Sequence, residues 1–272
     1  MKEVIKNLSK DFGLNIEETE LLASTLLNKP RFELYFNQEE NLMLERYLRL
    51  KFNLLKNGVP IEYVTKQVQF LDFKLALFPG VFIPRLETEY FVELIRKLIQ
   101  FKPQRICEIG TGCGAISVAL AEMFTDSEII ATDICKVALK NAQYNVHKFN
   151  LTDRITLINT DLFLAFKNKI FDLLVCNPPY VPRERINELP KSVRDFEPRM
   201  AIDGGWGGVV FIKKLINHAF NYLKDPITFA LEIDEDEVED LNLYLKEYTE
   251  NYFFIKDLFG RTRYLFVGRF RR

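Results

Sequence analysis

The stretch that decides the fold of this chain is Glu108-Ile109-Gly110-Thr111-Gly112-Cys113-Gly114. It joins an apolar segment that predicts a strand, Ile106–Ile109, to a segment that predicts a helix, Ala115–Phe124. Because glycine has no Cβ, a glycine-rich turn at this place lets the backbone come close to a ligand. The spacing is Gly-x-Gly-x-Gly, which differs from the Gly-x-Gly-x-x-Gly of dinucleotide-binding proteins. Taken alone, the glycine turn is also compatible with a tight loop that binds no ligand.

Strands and helices alternate after this turn. Further apolar segments predict strands over Ile129–Thr132, Ile155–Ile158, Phe171–Cys176 and Ile227–Ile233, and helices are predicted over Lys136–Phe149 and Gly208–Leu223. This alternation is typical of an α/β protein with a parallel, doubly wound sheet. The last two predicted strands, Tyr252–Ile255 and Tyr264–Val267, have a short connection, which favours antiparallel pairing. We therefore expect a Rossmann-like sheet of the methyltransferase kind, mostly parallel, with the last strand antiparallel.

The part of the chain before the glycine turn predicts two further segments. Leu21, Leu22, Leu26 and Leu27 recur at helical spacing, and residues 1 to 64 are expected to form a small helical domain. Its apolar stripes indicate packing of a bundle, with a docking surface as a second role. Residues 65 to 84 are expected to form a linking β-hairpin, because the pattern changes to period two and Pro79-Gly80 is a turn signal. Residues 85 to 272 form the predicted catalytic domain.

The composition excludes several classes of protein. The chain has 272 residues, of which 48% are hydrophobic, and 37 basic residues stand against 38 acidic ones. A duplex-binding protein usually has a basic surplus, so direct binding of nucleic acid is not expected. No apolar stretch approaches the roughly 18 residues of a membrane span, and no signal peptide is evident. Four cysteines without CxxC spacing and two histidines predict reduced thiols, a cytoplasmic protein and no metal site.

Acidic residues follow two successive predicted strands. Asp133 follows the second strand, where it can accept hydrogen bonds from both ribose hydroxyls. Asp161 follows the third strand and could accept from an adenine amino group, with the Leu162 backbone N–H donating to the ring. Each carboxylate alone could be a solvated loop residue. Ligands of open α/β sheets bind at these strand ends, so the combination predicts an adenosine without pyrophosphate, which indicates S-adenosylmethionine. The predicted cofactor-binding residues are Glu108, Gly110, Thr111, Gly112, Gly114, Asp133, Asp161, Leu162 and Asn177.

The tetrapeptide Asn177-Pro178-Pro179-Tyr180 follows the fourth predicted strand and forms the predicted catalytic set. The Asn177 side-chain carbonyl and the Pro178 backbone carbonyl can accept the two N–H groups of a planar amide or amine. Each proline fixes its own φ and holds the preceding residue extended, and neither has an N–H that competes. Tyr180 has a flat face that can cover a planar group. The alternative is a strand that runs into a stiff loop.

Several blocks make the chain similar to the HemK/PrmC family over almost its whole length. These blocks are Ile83–Glu89, the glycine turn, Asn177–Tyr180 with Val181-Pro182, Val193–Arg199, Ala201–Gly205 and Lys256–Arg261. The family consists of N5-glutamine methyltransferases that modify class 1 peptide-chain release factors. The Phe196–Gly205 block together with Ile83–Glu89 is much more specific than the Asn-Pro-Pro-Tyr loop, which adenine and guanine methyltransferases share.

The resemblance implies a role for further residues. Gly110, Gly112 and Asp133 would bind the cofactor, Asn177 and Pro178 would hold the target glutamine amide, and the N-terminal helices would grip the release factor. The predicted substrate pocket adds Pro84, Arg85, Glu87, Tyr180, Glu197 and Pro198. For Glu197 a structural role is the alternative. Members usually carry Pro at the position of Leu86 and Gly at those of Lys66 and Asp234, and we expect all three departures to lie outside the reacting centre.

The motifs leave other functions open. A ribosomal-protein glutamine methyltransferase would use the same catalytic residues, and the N-terminal domain would decide between the two substrates. A DNA or RNA amino-methyltransferase would share the Asn-Pro-Pro-Tyr loop but would need a basic groove. A non-catalytic binding module is a remote alternative, since the loop and the glycine turn would then serve no purpose.

Overall fold

The computed structural model of the chain describes residues 1–36, 42–167 and 169–271. The chain divides into two compact units, Met1–Lys66 and Gln67–Arg272. Among the helices of these described ranges, none has both the length and the apolar character needed to cross a membrane.

The first unit is helical. Its helices are α1 (Lys2–Phe12), α2 (Ile16–Leu27), α3 (Leu42–Lys56) and α4 (Ile61–Thr65), with a 3-10 turn at Arg31–Tyr35. Leu8, Leu48 and Phe52 are buried in its core, because the apolar stripes of the helices face one another. The residue after α4, Lys66, has a φ of +58°. This left-handed geometry favours glycine, the residue usual at this position in the family that the sequence resembles.

The second unit contains a seven-stranded sheet. Its strands are β3 (Arg105–Ile109), β4 (Glu128–Asp133), β5 (Ile155–Asn159), β6 (Leu173–Cys176), β7 (Phe229–Glu232), β8 (Tyr252–Lys256) and β9 (Thr262–Val267). The strand order is β5-β4-β3-β6-β7-β9-β8. Only β9, the last strand of the described residues, runs antiparallel to both of its neighbours. The predicted mostly parallel sheet with an antiparallel last strand is therefore confirmed.

Helices cover the sheet. They are α5 (Leu86–Leu98), α6 (Ala115–Met123), α7 (Lys136–Lys148), α9 (Val209–Tyr222) and α10 (Val238–Leu245). A short helix, α8 (Lys191–Arg194), lies in the segment between β6 and α9 and has no buried residues. All residues of β6 and β7 are buried, as expected for strands with helices on both faces. Strand β6 begins at Leu173, two residues later than predicted, because Asp172 turns its carboxylate to the backbone N–H groups of Gln104 and Arg105.

The predicted hairpin is formed by β1 (Gln67–Phe70) and β2 (Phe73–Ala76). Its turn lies at residues 71–72, where Leu71 has a φ of +49°. The predicted turn signal Pro79-Gly80 does lie in a turn, which follows β2. The buried Asn145 on α7 binds both backbone groups of Ala76, through Oδ1 to the N–H and Nδ2 to the carbonyl. These bonds dock the hairpin against α7 within the second unit.

Candidate active site

A cavity of about 430 Å³ lies in the second unit at the carboxyl ends of the central parallel strands. The sequence-predicted residues that line it are Pro84, Arg85, Glu108, Gly110, Thr111, Gly112, Asp133, Asp161, Leu162, Asn177, Pro178, Pro179, Tyr180 and Pro198. Three other predicted residues, Gly114, Glu87 and Glu197, are not part of its lining. The two halves of the predicted site thus face one cavity.

The glycine turn bends sharply at the end of β3. The backbone N–H groups of Gly110 and Thr111 both donate to the Thr132 carbonyl, at 2.8 and 2.9 Å. Gly110 and Gly112 have φ values of +74° and +57°, and a Cβ on either would point into open space. Gly114 has a different function: it precedes α6 at a φ of +86°, and its Cβ would lie 3.3 Å from Ala142. The first two glycines therefore form the wall of the cavity, and the third packs against α7.

Glu108 lies at the end of β3 and is buried. Its Oε2 accepts hydrogen bonds from Thr111 Oγ1, at 2.8 Å, and from Ser117 Oγ. Its Oε1 has no hydrogen-bond partner among the described residues. Burial raises the pKa of this carboxyl to about 7. Glu108 thus brings to the cavity lining a buried oxygen that a donor on a ligand could satisfy.

Asp133 holds the turn from the end of β4. Its Oδ2 accepts from the Gly112 backbone N–H at 2.9 Å, and its Oδ1 accepts from the Cys135 N–H at 2.8 Å. Burial raises the pKa of Asp133. Each oxygen retains a lone pair for a ligand hydroxyl. At the next strand end, Asp161 forms an exposed ion pair with Lys214 at 3.3 Å, and Leu162 is buried at a φ of +48°.

Asn177 begins a hydrogen-bond chain that runs from the cavity lining, which includes Thr88, into the protein core. Its Nδ2 donates to Thr88 Oγ1 at 3.0 Å, and the Thr88 hydroxyl donates to Glu232 Oε2 at 2.8 Å. The Tyr180 hydroxyl donates to the other oxygen of Glu232 at 3.2 Å. Glu232 is fully buried in β7, and this burial raises its pKa to about 7. One carboxylate therefore anchors both ends of the tetrapeptide.

The chain after Tyr180 packs tightly against a glycine loop. The Val181 N–H donates to the Ile202 carbonyl, and the Gly204 N–H donates to the Val181 carbonyl, both at 3.0 Å. A Cβ on Gly204 would lie 2.3 Å from the Gly208 carbonyl oxygen and 2.9 Å from the Pro179 carbonyl oxygen. No larger residue fits at position 204, and the loop therefore packs directly against the backbone of the tetrapeptide.

Arg85 and Glu197 form an ion pair beside the cavity. The buried Glu197 carboxylate contacts Arg85 Nη2 through Oε1 and accepts from the Ile83 N–H through Oε2 at 3.2 Å. The Arg85 guanidinium also lies 5.0 Å from the centroid of the Phe82 ring. Glu197 thus ties the segment before α5 to the Val193–Arg199 block. The third predicted residue, Glu87, uses its backbone carbonyl to accept from Tyr264 Oη at 2.9 Å.

Of the three departures from the family pattern, Asp234 lies in the lining of the cavity, and Leu86 and Lys66 do not. Asp234 Oδ2 binds Arg263 Nη1 at 2.8 Å, and its side chain caps the 3-10 turn that precedes α10. A glycine at this position would supply neither contact. Arg263 in turn lies with its guanidinium 5.7 Å from the centroid of the Tyr180 ring.

Sequence reasoning missed Thr88 and Glu232 as parts of this site. Glu232 carries a signal in the sequence, because a lone carboxylate within the apolar segment Phe229–Ile233 must be buried if that segment is a central strand. Thr88 carries no such signal, since a threonine in a helix is usually unremarkable. Of the described residues, none form a group of three or more acidic, cysteine or histidine side chains that could hold a metal ion.

Comparison with known proteins identifies the family. Residues 79–191 match the model of the methyltransferase small domain. A protein of Clostridium acetobutylicum called release factor glutamine methyltransferase is 31% identical over 249 residues, which cover 89% of this chain and 86% of that protein. The protein of the same name from Clostridium botulinum is 33% identical over 90% of this chain and 89% of its own length. The chain belongs to the release factor glutamine methyltransferase family.

Membership in the release factor glutamine methyltransferases makes the chain a methyltransferase that uses S-adenosylmethionine, as the sequence predicts. Solved structures agree on the fold. The hMettl16 catalytic domain, solved with a MAT2A 3'UTR hairpin, has a TM-score of 0.58 at 17% identity over 91% of this chain and 90% of its own. A 16S rRNA methyltransferase of T. thermophilus has a TM-score of 0.53 at 17% identity, over 76% of this chain and 50% of its own.

Proposed function

We propose that this enzyme methylates N5 of the glutamine in the Gly-Gly-Gln motif of class 1 peptide-chain release factors, with S-adenosylmethionine as the methyl donor. The observation that carries the proposal is that the glycine turn and the Asn177–Tyr180 loop line one cavity. The relatives that match most of the chain are named for this activity.

The residues of the glycine turn fit the cofactor. A Cβ on Gly110 or Gly112 would occupy open space along the cavity wall, and the unpaired Glu108 Oε1 can accept from an ammonium group. Asp133 would hold the ribose hydroxyls, Asp161 the adenine amino group, and the Leu162 N–H a ring nitrogen. When bound there, S-adenosylmethionine supplies an electrophilic methyl group.

The opposite wall would hold the glutamine side chain. A carboxamide nitrogen is a poor nucleophile, because its lone pair is delocalised into the carbonyl. Asn177 Oδ1 and the Pro178 carbonyl would accept its two N–H groups and so fix the direction of the nitrogen. Both acceptors also stabilise positive charge that develops on the nitrogen. No general base is required for methyl transfer itself, since the proton can leave the nitrogen afterwards.

Other residues of the cavity would give this pocket its shape and exclude water from it. Pro84, Pro198 and Arg85 line it, and Tyr180 would cover the planar amide. Glu197 and Glu87 lie outside the lining, and Glu197 would act indirectly, by holding Arg85 in place through their ion pair. Water exclusion by these walls strengthens the hydrogen bonds to the amide.

The first unit would dock the release factor. It exposes large apolar side chains, including Phe32, Phe36 and Met43, with exposed fractions of 61%, 73% and 80%. The Phe32 and Phe36 rings contact each other, with centroids 5.5 Å apart, and adjoining exposed apolar side chains are typical of protein interaction sites. Such a docking role for residues 1–64 would require neither a membrane nor nucleic acid. The proposed site of the reaction is the cytoplasm, where release factors act.

The test is mass spectrometry of a purified class 1 release factor after incubation with this enzyme and S-adenosylmethionine. We expect a gain of one methyl group on the glutamine of the Gly-Gly-Gln motif. Absence of this methyl group, despite calorimetric binding of the cofactor, would refute the proposed substrate. Parallel reactions with ribosomal proteins and with RNA would then identify which alternative substrate carries the label.

A further inference from the structure

The orientation of the Asn177 amide decides what the substrate pocket can bind. An asparagine presents either an acceptor oxygen or a donor NH₂ group, depending on a rotation of its terminal amide. The proposed function requires the oxygen to face the substrate. The residues that control this rotation are therefore as important as Asn177 itself.

Thr88 determines the rotation through the single proton of its hydroxyl. When Glu232 is ionised, its carboxylate can only accept, so the Thr88 hydroxyl donates its one proton to Glu232 Oε2 at 2.8 Å. Toward Asn177 the hydroxyl oxygen can then act only as an acceptor. The group 3.0 Å from it must be the Asn177 NH₂ group, which leaves Oδ1 on the opposite side of the amide.

Glu232 is held in a fixed position. Its side chain is fully buried in β7, and its second oxygen accepts from the Tyr180 hydroxyl at 3.2 Å. The charged groups that act on it are Arg263, which favours its ionised form, and Glu87, which opposes it. An orienting carboxylate with both oxygens engaged in this way has little freedom to rotate.

We propose that Glu232, acting through Thr88, is a positioning residue that turns the Asn177 amide so that its oxygen faces the substrate. This assignment rests on the proposed function. Glu232 lies outside the cavity lining and acts only through Thr88, which is part of that lining. The consequence is a pair of acceptors beside the substrate amide, Asn177 Oδ1 and the Pro178 carbonyl, which favours a carboxamide over the carboxylate of a glutamate at the same position.

The experiment compares Thr88→Val, Thr88→Ser and Glu232→Gln with the wild-type enzyme, with kcat for release factor methylation and the calorimetric Kd of S-adenosylmethionine as readouts. We expect Thr88→Val to lower kcat at least about tenfold while the Kd stays within about twofold. Thr88→Ser, which restores the hydroxyl, should recover most of that loss. Glu232→Gln should lower kcat about as much, because its NH₂ group can donate to Thr88 and release the amide.

A double-variant cycle separates positioning from a general structural role. If Thr88 acts through Asn177, Thr88→Val should cause no further loss of kcat in an Asn177→Ala background. An equal loss in both backgrounds, or a kcat for Thr88→Val within about twofold of wild type, would overturn the assignment. If Thr88→Val does not fold, Glu232→Gln takes its place. The kcat of Glu232→Gln is then measured alone and in the Asn177→Ala background, and the same outcomes support or overturn the assignment. Wild-type enzyme that leaves the release factor unmethylated would instead refute the proposed function.

Discussion

The backbone N–H of Gly112 donates to Oδ2 of Asp133 at 2.9 Å, so the carboxylate at the end of β4 holds the glycine turn at the end of β3. The same carboxylate would receive the ribose hydroxyls of the cofactor. Asp133 thus shapes the wall of the cavity in addition to any direct contact with the ligand.

Replacement of Asp133 by asparagine should weaken cofactor binding at least about tenfold. An amide can accept from only one of the two N–H groups of Gly112 and Cys135, and its NH₂ group would face the other donor. Isothermal titration calorimetry with S-adenosylmethionine measures the change. Asp195→Asn, an acid-to-amide change at an ion pair with Arg194 outside the cavity lining, is the control, and equal affinities of both variants would contradict the prediction.

Asn177→Ala should lower kcat for methylation by about two orders of magnitude, because it removes an acceptor aimed at developing positive charge. The Kd of S-adenosylmethionine should change by less than about threefold, since the glycine turn is untouched. Asn187→Ala removes an exposed side chain of the same type and should leave kcat at the wild-type value. Turnover of Asn177→Ala near that of wild type would rule out the proposed role of the amide.

Gly204→Ala should destabilise the protein by about 2–4 kcal/mol, because the new Cβ would lie 2.3 Å from the Gly208 carbonyl oxygen and force the loop away from Tyr180. Gly207→Ala is the matched control. Gly207 has a φ of +63° but an open surrounding, so its cost is limited to about 1–2 kcal/mol of backbone strain. Urea denaturation compares the two variants, and a smaller loss for Gly204→Ala would contradict the packing argument.

Glu237 should make stability depend on pH. Burial raises its pKa from 4.5 to about 8, although the hydrogen bond from the Asp234 backbone N–H lowers it. The protonated Glu237 carboxyl contributes fully to the stability of the folded protein below about pH 4.5. This contribution to the free energy of unfolding is lost as the pH rises through about 8. Between these values the free energy of unfolding should fall by at most about 1.4 kcal/mol per pH unit from this group.

Glu237→Gln removes this titration and should flatten the dependence of stability on pH. Urea denaturation at about pH 5 and about pH 8 gives the two free energies of unfolding for each protein. Glu247→Gln, a change of the same kind at an exposed position, should retain the wild-type slope. A Glu237→Gln slope equal to that of wild type would show that this carboxyl titrates normally.

The double variant Phe36→Ser/Met43→Ser should lower kcat/KM for an intact release factor about tenfold. Both side chains are largely exposed on the first unit, and the removal of apolar side chains from a docking surface mainly weakens substrate binding. Methylation of a short peptide that contains the Gly-Gly-Gln motif should be unaffected. Leu164→Ser, at an equally exposed apolar residue of the second unit, is the control. Equal decreases for protein and peptide would contradict docking through the first unit.

Local sequence patterns were sufficient to predict the strands of the main sheet, three of the helices around it and many of the residues that line the cavity. These patterns depend only on neighbours within a few residues. They include the hydrophobic period, the glycine turns and the placement of Asp133 and Asp161 directly after strands. Strand ends that meet at one edge of a parallel sheet bring such residues together in any protein of this fold. For this reason the sequence alone groups Gly110, Asp133 and Asn177 at one site.

Only the tertiary structure decided which partners hold these residues. Thr88 and Glu232, separated by 144 positions, meet behind Asn177, and Glu197 turns to Arg85 and Ile83 instead of the cavity. Such contacts depend on how α5 and the loops after β6 pack on the sheet. A buried carboxylate must find donors wherever the packing brings them, and periodicity within one element contains no information about which distant donor that will be.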